Sequence, residues 1–149
     1  MRAQFTDDLK TAMKAGEKRR VETIRMIMAA LKERDIEART SGKPVGDEEV
    51  LALLQKLVKS RQESAEIYEK AGRDDLATQE REEVAIIAAY LPKQLDDAAV
   101  KAAVEAAIAE TGAASMKDMG KVVAALKAKF AGQMDFSKAS AAVKVALSK

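Results

Sequence analysis

Apolar side chains recur along this chain every three or four residues, with glycine or proline at the breaks, and that spacing predicts helices. Phe5, Leu9, Ala12 and Met13 mark the first, over about Ala3–Ala15, which Gly16 ends by taking a left-handed conformation. Val21, Ile24, Ile27, Met28 and Leu31 form the stripe of a long second helix, about Lys18–Ser41. A loop follows, Gly42-Lys43-Pro44-Val45-Gly46, and Asp47 is placed to cap a third helix over Glu48–Ala71. Glu48 and Glu49 fall in its first turn, where the positive end of the helix dipole favours them. Leu51, Leu54, Leu57, Val58, Ala65 and Tyr68 are its inward set. Gly72 stops it, and Asp74 or Asp75 opens a fourth helix carrying Leu76, Val84, Ile87 and Leu91 inward. At Tyr90-Leu91-Pro92 the helix must end, because proline lacks an N–H and clashes with the preceding turn.

Three shorter helices follow. Asp96 caps Asp97–Glu110, with Leu95 placed to pack on Val100 as a hydrophobic staple, and Val100, Val104, Ala107 and Ile108 turn inward. Met116–Phe130 opens on Ser115-x-x-Asp118, in which Asp118 can reach back to the Ser115 amide; it buries Met119, Val122, Val123, Leu126 and Phe130. Phe136–Leu147 comes after the Ala131-Gly132 turn and buries Phe136, Val143 and Leu147. The expected fold is all-α: an N-terminal four-helix bundle-like domain over residues 1–92, then a small three-helix tail domain over 96–149. A tail of that size can fold alone but only marginally.

Composition narrows the chemistry. With three Phe, two Tyr and no Trp, the core rests on Leu, Ile, Val, Met and Ala. The methionines mostly fall on or beside apolar stripes and read as core filler. Without cysteine there is no disulfide, thiolate nucleophile or zinc finger. Without histidine the commonest general base and metal ligand is missing, and Ser-His-Asp and Cys-His catalysis are both excluded within this chain. No catalytic residue, cofactor or metal site is expected; Glu80, Glu82 and Glu83 read as a solvated face with Arg81 among them. The start, MRAQFTDDLK, bears Asp7 and Asp8 and no apolar core, so it does not read as a signal peptide. No apolar run reaches 18 residues, so a cytoplasmic protein with no membrane partner is expected.

Charge then separates the two parts. The net value is +2, yet residues 1–95 balance, with 18 basic and 18 acidic side chains. Residues 113–149 hold seven lysines against Asp118 and Asp135, so the basic character lives in the tail. Lys117 and Lys121, four apart, fall opposite the apolar stripe beside Gly120, Ala124, Ala125 and Ala128, where little bulk shields an approaching phosphate. Lys129 and Lys144 are peripheral candidates. The plainer reading is a solvated lysine face. No arginine follows Arg81, and Phe130 and Phe136 lie on apolar faces, so fork-like reading of guanine and base stacking are not evident in the tail. Nucleic-acid binding there would act through backbone and shape, which suits a folded RNA such as tRNA. A second cluster, Lys18-Arg19-Arg20 with Arg25, is expected to be neutralised locally by Glu17 and Glu22. Val145 lies opposite Phe136 and Leu147, a position that suits a partner surface.

Two stretches, GRDDLATQEREEVAIIAAYLPKQL (72–95) and SMKDMGKVVAAL (115–126), together resemble the GatB/YqeY family. The resemblance covers most of the chain and implies a free-standing, bacterial-type member related to the tail of the tRNA-dependent amidotransferase B subunit. In those enzymes the tail helps hold tRNA while other domains perform the chemistry. Lys117, Asp118, Gly120 and Lys121 are the positions that match, Asp118 as a cap, Gly120 as a spacer and the lysines as contacts. The family-level label is carbon–nitrogen ligase with glutamine as amido donor, but these residues carry no Gly-Ser-Ser amidase signature and no nucleotide-binding loop. Asp96-Asp97-Ala98-Ala99 also departs from the Ser-x-x-Glu start usual in the family. Two classes of function stay open. One is a non-catalytic module associated with tRNA or another RNA, accessory to an amidotransferase; the other is a helical protein–protein adaptor with no RNA role.

Overall fold

The computed structural model describes residues 1–148. Among them are seven α-helices and no strand: α1 (Arg2–Ala15), α2 (Lys18–Ser41), α3 (Asp47–Lys70), α4 (Asp74–Ala88), α5 (Asp97–Thr111), α6 (Met119–Phe130) and α7 (Phe136–Leu147). The protein is all-α. It divides into two compact units, Met1–Leu91 and a second beginning at Pro92, each with its own apolar core.

In the first unit α1 lies on α2, α3 and α4 form an antiparallel hairpin, and α2 touches both members of that hairpin. Its core joins Phe5, Ile24, Ile27, Leu31, Val50, Leu53, Leu54 and Ile87. Glycine sets two of the breaks: Gly16 and Gly72 both have positive φ, near 71° and 73°, which a side chain would strain. Two expectations need correction. Asp47 is not a cap but the first residue of α3, whose cap position is Gly46, so its carboxylate acts on the dipole alone. Met13 is 52% exposed rather than buried, with its sulfur 4.0 Å from the Arg25 guanidinium. Val50 and Leu53, absent from the expected inward set of α3, are among its most buried side chains, because that long helix buries a wider arc than one narrow stripe.

The second unit packs α5, α6 and α7 around Val104, Val122, Leu126, Met134 and Val143, with Ala103, Ala107 and Ala139 allowing close approach. Asp96 caps α5, its Oδ1 accepting from the Ala99 amide at 2.8 Å. Leu95 and Val100 both pack against this core. Asp135 similarly caps α7 by accepting from Ser137 N at 2.9 Å. The segment before α5 is tied to the loop before α7: Leu95 N donates to Gln133 O at 2.8 Å, and Gln94 Nε2 donates to Gly132 O.

Candidate nucleic-acid interface

The start of α6 differs from the helical register that its sequence suggests. Met116–Asp118 form a short 3-10 turn, and the α-helix proper begins at Met119. Ser115 makes no side-chain cap; Asp118 Oδ2 instead accepts from the Ala114 amide at 3.1 Å, one residue further back. A 3-10 turn winds more tightly than an α-helix, so Lys117 does not keep the simple four-residue alignment with Lys121. Both lysines are exposed, and so is Gly120 between them. Val122 and Leu126 hold the opposite side of α6 in the core.

Lys129 differs from the other candidates because its Nζ lies 2.8 Å from Glu110 Oε1 and braces α6 to α5. Its charge is already shared. Lys144 on α7 is exposed, and no carboxylate pairs with it among the described residues. Lys127 and Lys138, not singled out by the sequence, share both properties. The helical spacing of α6 could have found Lys127: it flanks the exposed lane Gly120–Ala124 on the side opposite Lys121. The exposed, unpaired cations of this unit's α6–α7 region are therefore Lys117, Lys121, Lys127, Lys138 and Lys144, with Lys149 outside the described residues. Phe130 and Phe136 pack against the tail core.

The first unit's basic cluster is neutralised in part, at Arg19 and Arg20, while Lys18 and Arg25 make no ion pair among the described residues. Arg20 pairs with Glu17 at 2.9 Å, and Arg19 with Glu22 at 3.9 Å and with Glu82 at 3.3 Å from α4. Those contacts, and Arg61 with Glu83 at 3.0 Å, also engage two of the three α4 glutamates. Glu80 has its pKa raised, first by burial and then by repulsion from Glu83. Among the described residues no group of three or more metal-ligating side chains converges.

The sequence also matches a known family. The description "Yqey-like protein" matches residues 2–147, and the chain belongs to that family. It is also similar to two proteins described as "Altered inheritance of mitochondria protein 41, mitochondrial". One, from Eremothecium gossypii, is 37% identical over 89 residues, covering 60% of this chain and 48% of that protein. The other, from Lachancea thermotolerans, is 36% identical over 89 residues, covering 60% and 46%. The chain thus spans about half the length of these curated relatives. No helix among the described residues is long and apolar enough to cross a membrane.

Proposed function

We propose that this protein is a non-catalytic RNA-associated module whose tail holds the phosphate backbone of a folded RNA such as tRNA, in a role accessory to tRNA-dependent amidation. The observation that carries this reading is the set of exposed lysines on α6, α7 and the preceding turn, with no carboxylate partner among the described residues. Lysine ammonium groups meet phosphates as point charges without a fixed geometry, and they release counterions when they do so. The tail's half-buried phenylalanines leave little for base stacking, so the reading is of backbone contact with weak dependence on base sequence. The names of the two curated relatives place those proteins in mitochondria and mention no RNA. A cytoplasmic setting is part of the proposal for this chain, and cell fractionation would test it.

Binding of fluorescently labelled bulk tRNA to the whole chain, followed by anisotropy across a salt series, tests the proposal. Parent affinity should fall steeply with salt. In a Lys117→Glu/Lys121→Glu variant the slope of log affinity against log salt should shrink by about two, one for each phosphate that no longer meets a lysine. An unchanged affinity in that variant removes this face from consideration.

A second reading rests on a different observation. Val145 on α7 is 58% exposed beside exposed Lys144 and Ala141, a small apolar point on a charged surface. If no RNA binds even at low salt, this surface suits an adaptor for another protein, an amidotransferase among them.

A further inference from the structure

We infer that the groove at the end of α2 in the first unit is a phosphate-binding site, separate from the tail lysines. The groove holds about 570 Å³ and is lined by Arg2, Asp35, Ala38, Arg39 and the loop Gly42–Val45. Its charges are unevenly engaged. Arg2 grips Asp35 through two bonds, Nη1 to Oδ2 and Nη2 to Oδ1, each 2.8 Å, and a third contact from Nη2 reaches the Val45 carbonyl at 3.5 Å. This clamp occupies both oxygens of the groove's one carboxylate and fixes the loop beside it. Arg39 and Lys43 remain, and neither makes an ion pair or side-chain hydrogen bond among the described residues. Three cations against one carboxylate leave the lining with a charge of +2.

Arg39 is unusual among the arginines for this. Arg2, Arg19, Arg20, Arg34, Arg61, Arg73 and Arg81 all pair with carboxylates, and Arg25 has the Met13 sulfur. Arg39 contributes only its field to lowering the Asp35 pKa. One physical effect opposes an anion here. Helix α2 ends in the groove, and the partial negative charge of its last carbonyls repels phosphate. That repulsion is blunted, because the Ala38 carbonyl already accepts from Gly42 N at 2.9 Å and from Ser41 Oγ at 3.1 Å. A planar guanidinium and a mobile ammonium lining the same groove suit a phosphate group, one as a fork and one as a point charge. The ligand class is therefore a phosphate, carried either by an RNA backbone or by a phosphorylated small molecule.

The test is an amide-shift titration of the isotope-labelled full chain with inorganic pyrophosphate at constant ionic strength, with chloride as comparison. Saturable shifts should appear at Arg39, Gly42, Lys43 and Val45. In an Arg39→Ala/Lys43→Ala variant, affinity should drop about tenfold, the loss expected for a charged hydrogen-bond pair. Both side chains are exposed, so helix content should not change. No saturable shift at these amides, an equal response to chloride, or equal affinity in the variant overturns the site. Repeating the titration with tRNA on a Lys117→Glu/Lys121→Glu background separates this site from the tail. Shifts at residues 39–45 there identify an RNA backbone as the source; shifts with pyrophosphate alone identify a phosphorylated small molecule.

Discussion

Tyr90 donates its hydroxyl hydrogen to Asp8 Oδ2 at 2.5 Å while its ring stands edge-on to Phe5, with centroids 4.7 Å apart. The tyrosine of the Tyr-Leu-Pro stop thus holds the first helix against the exit of α4, joining residues 82 positions apart. Burial, and then the Asp8 carboxylate, raise the Tyr90 pKa. Tyr90→Phe should keep the ring contact, remove the donor and cost roughly 1 kcal/mol, at the low end because the group is only half-buried. A raised phenol pKa means that this contribution is present below the ordinary value of 10.0 and is lost as pH rises through the higher folded value. Urea midpoints of parent and variant should therefore differ at neutral pH and converge in strong alkali.

The Arg2–Asp35 clamp has the opposite pH sense. Its hydrogen bonds to Arg2 are the main cause of the lowered Asp35 pKa. The contribution is present above the ordinary aspartate value of 3.8 and disappears as pH falls through the lower folded value. Thermal midpoints of the parent and Asp35→Asn should approach one another on acidification below that value.

Arg61 and Glu83 pair at 3.0 Å with each side chain 17% exposed, and Arg61 Nη1 also donates to Leu57 O at 3.3 Å. Arg61→Met alone leaves a largely covered carboxylate without its cation and should cost about 2 kcal/mol by denaturant titration. Adding Glu83→Met should recover most of that loss. An additive double variant would show that the pair is not coupled.

In the tail, Asp96→Ala removes the cap bond to Ala99 and should cost about 1 kcal/mol, whereas Asp96→Asn should be nearly silent. Helicity-monitored unfolding distinguishes the two.

Lys127→Ala should weaken tRNA binding more than Lys129→Ala, because Lys129 already faces Glu110 at 2.8 Å and Lys127 has no such partner among the described residues. Anisotropy at one fixed salt concentration suffices, and the reverse order would count against the proposed face.

The helices were legible because their signals are local. Gly16 and Gly72 turn the chain and Asp96 caps α5, through interactions within a few residues. Helix α4 ends at Ala88, earlier than the expected stop at Tyr90-Leu91-Pro92, in a tightened turn where Tyr90 N donates to Ile87 O and Leu91 N to Ala88 O. The neutralised Arg19–Arg20 cluster was half legible: Glu17 and Glu22 are neighbours in sequence, but Glu82 arrives only when α4 packs nearby. Periodicity assumed one unbroken α-helix from Met116, and the 3-10 turn displaced that register at Lys117. Tertiary pairing hid the rest. Nothing in sequence joins Arg2 to Asp35 or Lys129 to Glu110, so the groove beside Arg39 and the engagement of Lys129 emerged only from the folded chain.

The division of the apolar interior into two clusters has a consequence for how this protein can vary over generations. A change at Ile27 or Leu54 disturbs the core against which Val45 of the Arg39 groove packs, while one at Val122 or Val143 disturbs the core that α6 and α7 share. Natural drift can therefore remodel one of these two proposed phosphate-binding surfaces while the scaffold of the other keeps its own packing. Lineages could specialise the two halves at different rates, and a sequence family with one well-kept half and one freely diverging half would be the trace of it.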